Sequence, residues 1–201
     1  MNVTPNHLKL CAKVVVMLSV AFTLSSCNIS LLPKMTIYPN FTPSILGFSV
    51  TIEEGTDGDD DTYLFTIFSH AVHFVSEAGS IGGVLTGYQV HYLDASGAPL
   101  RDGDGVLYSS DSVSLVIPPG LSCSDDAGAA CSVNSPGVSY VETKSESHSN
   151  FFTLPIQVAQ VVYFRDLVGA RANVYLDVRT DLGDEVRLGP FQVAIGGPLT
   201  E

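Results

Sequence analysis

Between Ala172 and Arg179 apolar and polar residues alternate without a break. Ala172, Val174, Leu176 and Val178 fall on one side and Asn173, Tyr175, Asp177 and Arg179 on the other. A period of two is what a strand with one buried face requires, whereas a helix would scatter the same residues around its axis. The pattern recurs in Leu46, Phe48, Val50 and Ile52, in Tyr88, Val90 and Tyr92, in Val113, Leu115 and Ile117, in Phe152, Leu154 and Ile156, and in Phe191, Val193 and Ile195. Thr62–Ser69 and His70–Val75 are rich in β-branched and aromatic residues, and Val158–Leu167 suits a strand or a single helical turn. Turn chemistry separates these runs: Glu53–Asp61, Asp94-Ala95-Ser96-Gly97, Pro118-Pro119-Gly120 and Asp181-Leu182-Gly183-Asp184. Short strands at this spacing, with little helical pattern, predict an all-β fold, a β-sandwich of about seven to nine strands rather than an α/β fold.

The amino terminus has a different grammar. His7, Lys9 and Lys13 precede an apolar run from Val14 to Leu24, followed by small residues, the layout of an export signal. The run is shorter than the about 20 residues needed to span a bilayer. Leu24-Ser25-Ser26-Cys27 resembles the lipobox of bacterial lipoproteins, a family in which the cysteine is acylated and becomes the mature amino terminus. The resemblance implies a signal peptide over 1–26, a lipid on Cys27, and membrane attachment through that lipid. Asn28, where the Gram-negative family uses Asp as an inner-membrane retention signal, points to the outer membrane. The alternatives are conventional cleavage near Ser26, which leaves Cys27 a thiol, and an uncleaved anchor.

Loss of residues 1–26 removes Lys9 and Lys13 and no acid, taking the formal charge from −12 to −14. Nucleic acid and anionic lipid head groups are therefore poor partners. Four cysteines are present; Cys11 leaves with the signal and Cys27 takes the lipid, so Cys123 and Cys131 remain. In an oxidising compartment a disulfide across that short loop is their simplest use, with a metal or redox dithiol as the rival. Residues 27–43, with Pro33, Pro39 and Pro43, read as a tether leading to a body over 44–201. Within the body, residues 120–150, dominated by Ser, Gly, Ala and Asp, read as a flexible insertion, shortened by a brief strand near Val138–Val141.

Gly87–Gly97 and Ala172–Ile195 resemble strand pairs of immunoglobulin-like or fibronectin-III-like bacterial surface modules. The resemblance implies an immunoglobulin-like sandwich. The chain has no Trp and no widely spaced cysteine pair that would bridge two sheets, so the antibody-type hallmark is absent.

Candidate chemistry concentrates in the turn Asp57-Gly58-Asp59-Asp60-Asp61. Asp57, Asp59, Asp60 and Asp61 offer the converging carboxylates that calcium prefers, and a solvated hairpin tip is the competing reading. Asp102 and Asp104 form a smaller cluster. His70, His73 and His91 raise a zinc reading, but residues three apart on one strand face opposite sides, which favours structural or surface histidines; His148 falls in the polar insertion. No Gly-x-Ser-x-Gly, Walker, HExxH or GxGxxG pattern occurs. The expected function is a non-catalytic binding or structural module of the envelope, meeting another envelope protein or a glycan. The alternatives are a calcium-stabilised adhesion module and an exported hydrolase built from scattered residues.

Overall fold

The computed structural model describes residues 34–55, 60–103, 105–123, 137–149 and 151–197. In chain order the first strands are β1 (Ile37–Thr42), β2 (Ile45–Leu46), β3 (Phe48–Glu53), β4 (Thr62–Ile67) and β5 (Ala71–Ser76). Next come β6 (Gly83–Leu93), β7 (Arg101–Asp102), β8 (Gly105–Val106), β9 (Tyr108–Ile117), β10 (Leu121–Cys123) and β11 (Val138–Tyr140). The remainder are β12 (Thr143–Lys144), β13 (His148–Ser149), helix α1 (Ile156–Phe164), β14 (Arg171–Thr180) and β15 (Glu185–Ile195). The protein is all-β, with packed sheets. The larger sheet runs β2-β15-β14-β6-β9; the smaller runs β1-β5-β12, with β13 also paired to β5.

The alternation in β14 is realised directly. Ala172, Val174, Leu176 and Val178 are buried, while Asn173, Tyr175, Asp177 and Arg179 face outward. Its neighbours needed a correction the alternation could not signal. In β6, Thr86 is an extra residue between the pairs Leu85↔Val178 and Gly87↔Asp177, and its hydroxyl donates to the Asp177 carbonyl at 3.0 Å. The bulge changes which parity meets the core, from Leu85 before it to Tyr88, Val90 and Tyr92 after it. In β15, Gly189 and Pro190 sit between the pairs Val174↔Phe191 and Leu176↔Leu188 and do the same. There φ is +111° at Gly189, a conformation open to glycine, and Pro190 is tolerated because the ladder is already interrupted.

Between the sheets lies an aromatic wedge. The Phe151 ring meets Phe74 of the smaller sheet at 5.7 Å and Tyr88 of the larger at 5.1 Å. The Phe152 ring meets Phe41, His70 and Tyr88 at 5.7, 4.7 and 5.9 Å. These two residues lie in a bend rather than in the strand that Phe152, Leu154 and Ile156 suggested. Pro155 explains the difference: at φ −62° it stands as N-cap of α1, where no helical N–H bond is lost. The helix then buries Val158, Ala159, Val161 and Val162 at the spacing of one helical face, in place of the strand or single turn expected for Val158–Leu167.

Two expected boundaries also move. The body begins at Lys34, so residues 34–43, read as tether, belong to it: β1 pairs with β5 from Ile37↔Ser76 to Thr42↔Ala71. Ile37 and Phe41 are buried because β1 supplies one wall of the core. The stretch 120–150 carries β10 to β13, and only 124–136 and 150 lie outside the described residues.

Gly120 is where that stretch meets the β5–β6 turn. Its N–H donates to the Ser80 carbonyl, and its own carbonyl accepts from Gly79 and Val141. A Cβ here would run into the Glu77 carbonyl, a backbone atom that cannot swing aside. Gly120→Ala is expected to cost about 2–3 kcal/mol of stability by overpacking, read from the midpoint of urea unfolding. An unchanged midpoint contradicts this packing.

Candidate functional site

The residues singled out by sequence are dispersed. Cys27 lies outside the described residues, as do Asp57, Asp59, Asp104 and Cys131. Asp60 and Asp61 are exposed at the base of the β3–β4 turn, where an Asp61 carboxylate oxygen accepts from the Gly55 N–H at 3.2 Å. Asp102 is exposed on β7. Cys123 ends β10, half-buried and paired in register with Val138.

The histidines do not meet. His70 is buried between the Phe41 and Phe152 rings, with Nε2 lacking a hydrogen-bond partner. Burial pushes its imidazole below the ordinary value, which keeps the ring neutral near pH 7. His73 pairs with Asn40 on β1, His91 packs on Tyr175 at 5.3 Å across the outer face, and His148 pairs with Val72. Among the described residues no three His, Cys, Asp or Glu side chains converge as a metal site.

The outer face of the larger sheet is polar. Arg187 reaches across to Asp177 through two hydrogen bonds, Nε to Oδ1 at 2.7 Å and Nη2 to Oδ2 at 3.0 Å, and through Nη1 to Gln89 at 3.3 Å. An exposed pair of this kind is screened by solvent and adds little to stability. Beside it Thr86, Gln89, Ser110, Asp111 and Asp177 line an open hollow of about 410 Å³.

The feature that departs most from a solvated surface is the β3–β4 hairpin. Its register places Phe48, Val50 and Ile52 opposite Ile67, Phe65 and Tyr63, so these six share one face. At the root Phe48 is fully buried, Val50 and Phe65 are half-buried, and toward the tip Ile52 and Tyr63 are 48% and 37% exposed. The last turn of α1 completes the patch: Phe164, 58% exposed, lies 5.1 Å from Tyr63 and 5.9 Å from Phe65, and Tyr163 lies 5.7 Å from Phe65. The apolar alternation thus runs one facing pair, Ile52 and Tyr63, beyond Val50 and Phe65, which still pack against the core.

Acids are the near sequence neighbours of this floor. Glu53 and Glu54 follow Ile52, Asp60 and Asp61 precede Tyr63, and Asp166 follows Phe164. β7, with Arg101 and Asp102, packs beside α1, and Arg165, next to Phe164, is exposed. Sequence reading named the acids and passed over the aromatics. The available signal was the Leu46–Ile52 alternation, which continues to the edge of the acidic turn, where a hairpin normally becomes polar on both faces.

Position matters as much as composition. The chain enters the body at Lys34, whose carbonyl accepts from Ile81, at the end where Gly83, Ile117 and Thr180 also lie. The hairpin is rooted at the opposite end, after β2 pairs with Ala194 and Ile195 and where Arg171 pairs with Leu93. The 11 residues of β6 join those ends, a separation of about 30–36 Å.

No family model matches the chain, and no curated protein matches it. A solved structure described as "X-ray structure of Northeast Structural Genomics Consortium target SoR45" is 13% identical, covering 81% of this chain and 89% of its own, with a TM-score of 0.30. A likeness that slight carries no argument about fold or function. Among the described residues no helix is long and apolar enough to cross a membrane.

Proposed function

We propose that the protein is a lipid-anchored envelope protein whose β-sandwich, of immunoglobulin-like type, is a non-catalytic binding module. Residues 1–26 direct export and Cys27 carries the lipid. Residues 28–33 link Cys27 to Lys34 along the chain. The observation that carries this reading is the placement of an uncovered aromatic floor at the end of the body remote from Lys34. A body that the chain joins at Lys34, with an open apolar surface at its other end, suits a module that meets a partner there. The Cys123–Cys131 disulfide belongs to the same reading. The chain leaves β10 at Cys123 and returns opposite it at Val138, so a bridge to Cys131 would tighten a loop whose ends are already paired.

Fractionation of cells producing the full chain tests the anchor. The wild-type protein is expected in the membrane pellet and the detergent phase, labelled by palmitate; Cys27→Ser is expected to lose the label and leave the membrane. Mass spectrometry of the wild type showing residues 1–26 retained in an unlabelled soluble product rejects the reading.

A further inference from the structure

The floor of Ile52, Tyr63, Phe65, Tyr163 and Phe164 has a definite chemistry, and we propose that it docks an apolar protein segment flanked by Lys or Arg. The inference rests on the binding-module reading and names its partner class. Burial of the exposed parts of Ile52, Tyr63 and Phe164 supplies the apolar attraction. Their near neighbours along the chain, Glu53, Glu54, Asp60, Asp61 and Asp166, are all exposed and outnumber Arg165, so the local charge is negative and its complement is cationic.

Other occupants fit less well. A second copy would set one set of acidic neighbours against another, on processed chains that each carry a formal charge of −14. An anionic membrane meets the same repulsion, and the floor is remote from the end where the tether enters. A sugar ring stacks on a flat shelf, whereas Tyr63 and Tyr163 meet Phe164 edge to face, at 78° and 73°.

The test uses the full chain as the cell processes it, with fluorescence anisotropy of labelled synthetic peptides of about 14 residues, the length of a short amphipathic anchor. One peptide interleaves Leu with Lys, a second replaces each Lys by Glu, and a third replaces each Leu by Ser. The Lys/Leu peptide is expected to bind at least about tenfold more tightly than either control. Tyr63→Ser and Phe164→Ser, which alter exposed side chains, are each expected to weaken it about tenfold or more while the thermal midpoint stays near that of the wild type. Raising salt from about 0.05 to about 0.5 M is expected to weaken it severalfold, since the acidic neighbours are exposed.

Equal affinity for the Lys/Leu and Glu/Leu peptides, or binding insensitive to both substitutions, overturns the proposal. So does a concentration-dependent dimer broken by Phe164→Ser, which assigns the floor to a second copy. The anchor reading fails separately: if Cys27→Ser leaves the membrane and the Lys/Leu peptide does not bind, the lipid anchor survives and this partner chemistry is rejected.

Discussion

Phe152→Ala is expected to lower the unfolding free energy by about 3–5 kcal/mol, the range for emptying the space of a buried phenylalanine. Phe152 is 2% exposed, and its ring touches Phe41 of the smaller sheet, Tyr88 of the larger and the His70 imidazole in the segment leading into β5. Removing the ring opens a cavity shared by both sheets, which cannot collapse without moving one sheet toward the other. For a domain of this size the thermal midpoint falls by roughly 6–20 °C. A calorimetric midpoint within about 2 °C of the wild type, a shift below 1 kcal/mol, would show that the wedge does not hold the sheets together. Phe152→Leu, which fills much of the space, is expected to recover a large part of the loss.

Alkaline pH should remove stability through Tyr92. The residue is fully buried, and burial pushes its phenol up to about 12 from 10.0, partly opposed by the hydrogen bond to Ser109 at 2.9 Å. In the unfolded chain the phenol ionises near pH 10; in the fold it does so only near 12. The stability it supports is fully present below pH 10 and is lost as pH rises from 10 to 12, because there the unfolded state releases a proton that the folded state retains. Two pH units correspond to about 2–3 kcal/mol. Tyr88 is displaced in the same direction, mainly by burial, so Tyr92→Phe is the control. Urea unfolding at about pH 9 and about pH 11 should show a drop in the wild type that is clearly smaller in Tyr92→Phe. Equal drops in the two proteins would mean that Tyr92 ionises in the fold as freely as in the unfolded chain.

Much of the architecture is legible in single strands. β14 reads as a strand because its face toward the core and its face toward water are both complete over eight residues, Ala172 to Arg179, so no partner is needed to recognise it. The acidic β3–β4 turn and the late β14–β15 pairing are legible for the same local reason. The bulges at Thr86 and Gly189–Pro190 are not, because each is defined by counting residues against a neighbouring strand. Nor is the placement of β1. Three prolines make 27–43 look like a tether, yet Ile37 and Phe41 are buried because β5 offers an edge and the core offers a wall.

The candidate surface divides in the same way. The acids Glu53, Glu54, Asp60 and Asp61 announce themselves by clustering in sequence. The aromatic floor joins Tyr63 to Phe164 across about a hundred residues, and nothing local in Val161–Arg165 says which hairpin its last turn will meet.

By itself the sequence determined the strand class and the net charge, since periodicity and ionisable groups are properties of neighbours along the chain. Only the tertiary structure decided which apolar residues are covered and which stay open. Burial is settled by contacts between segments far apart in the chain, and Ile52 and Phe48, alike in pattern and four residues apart, end up on opposite sides of that decision.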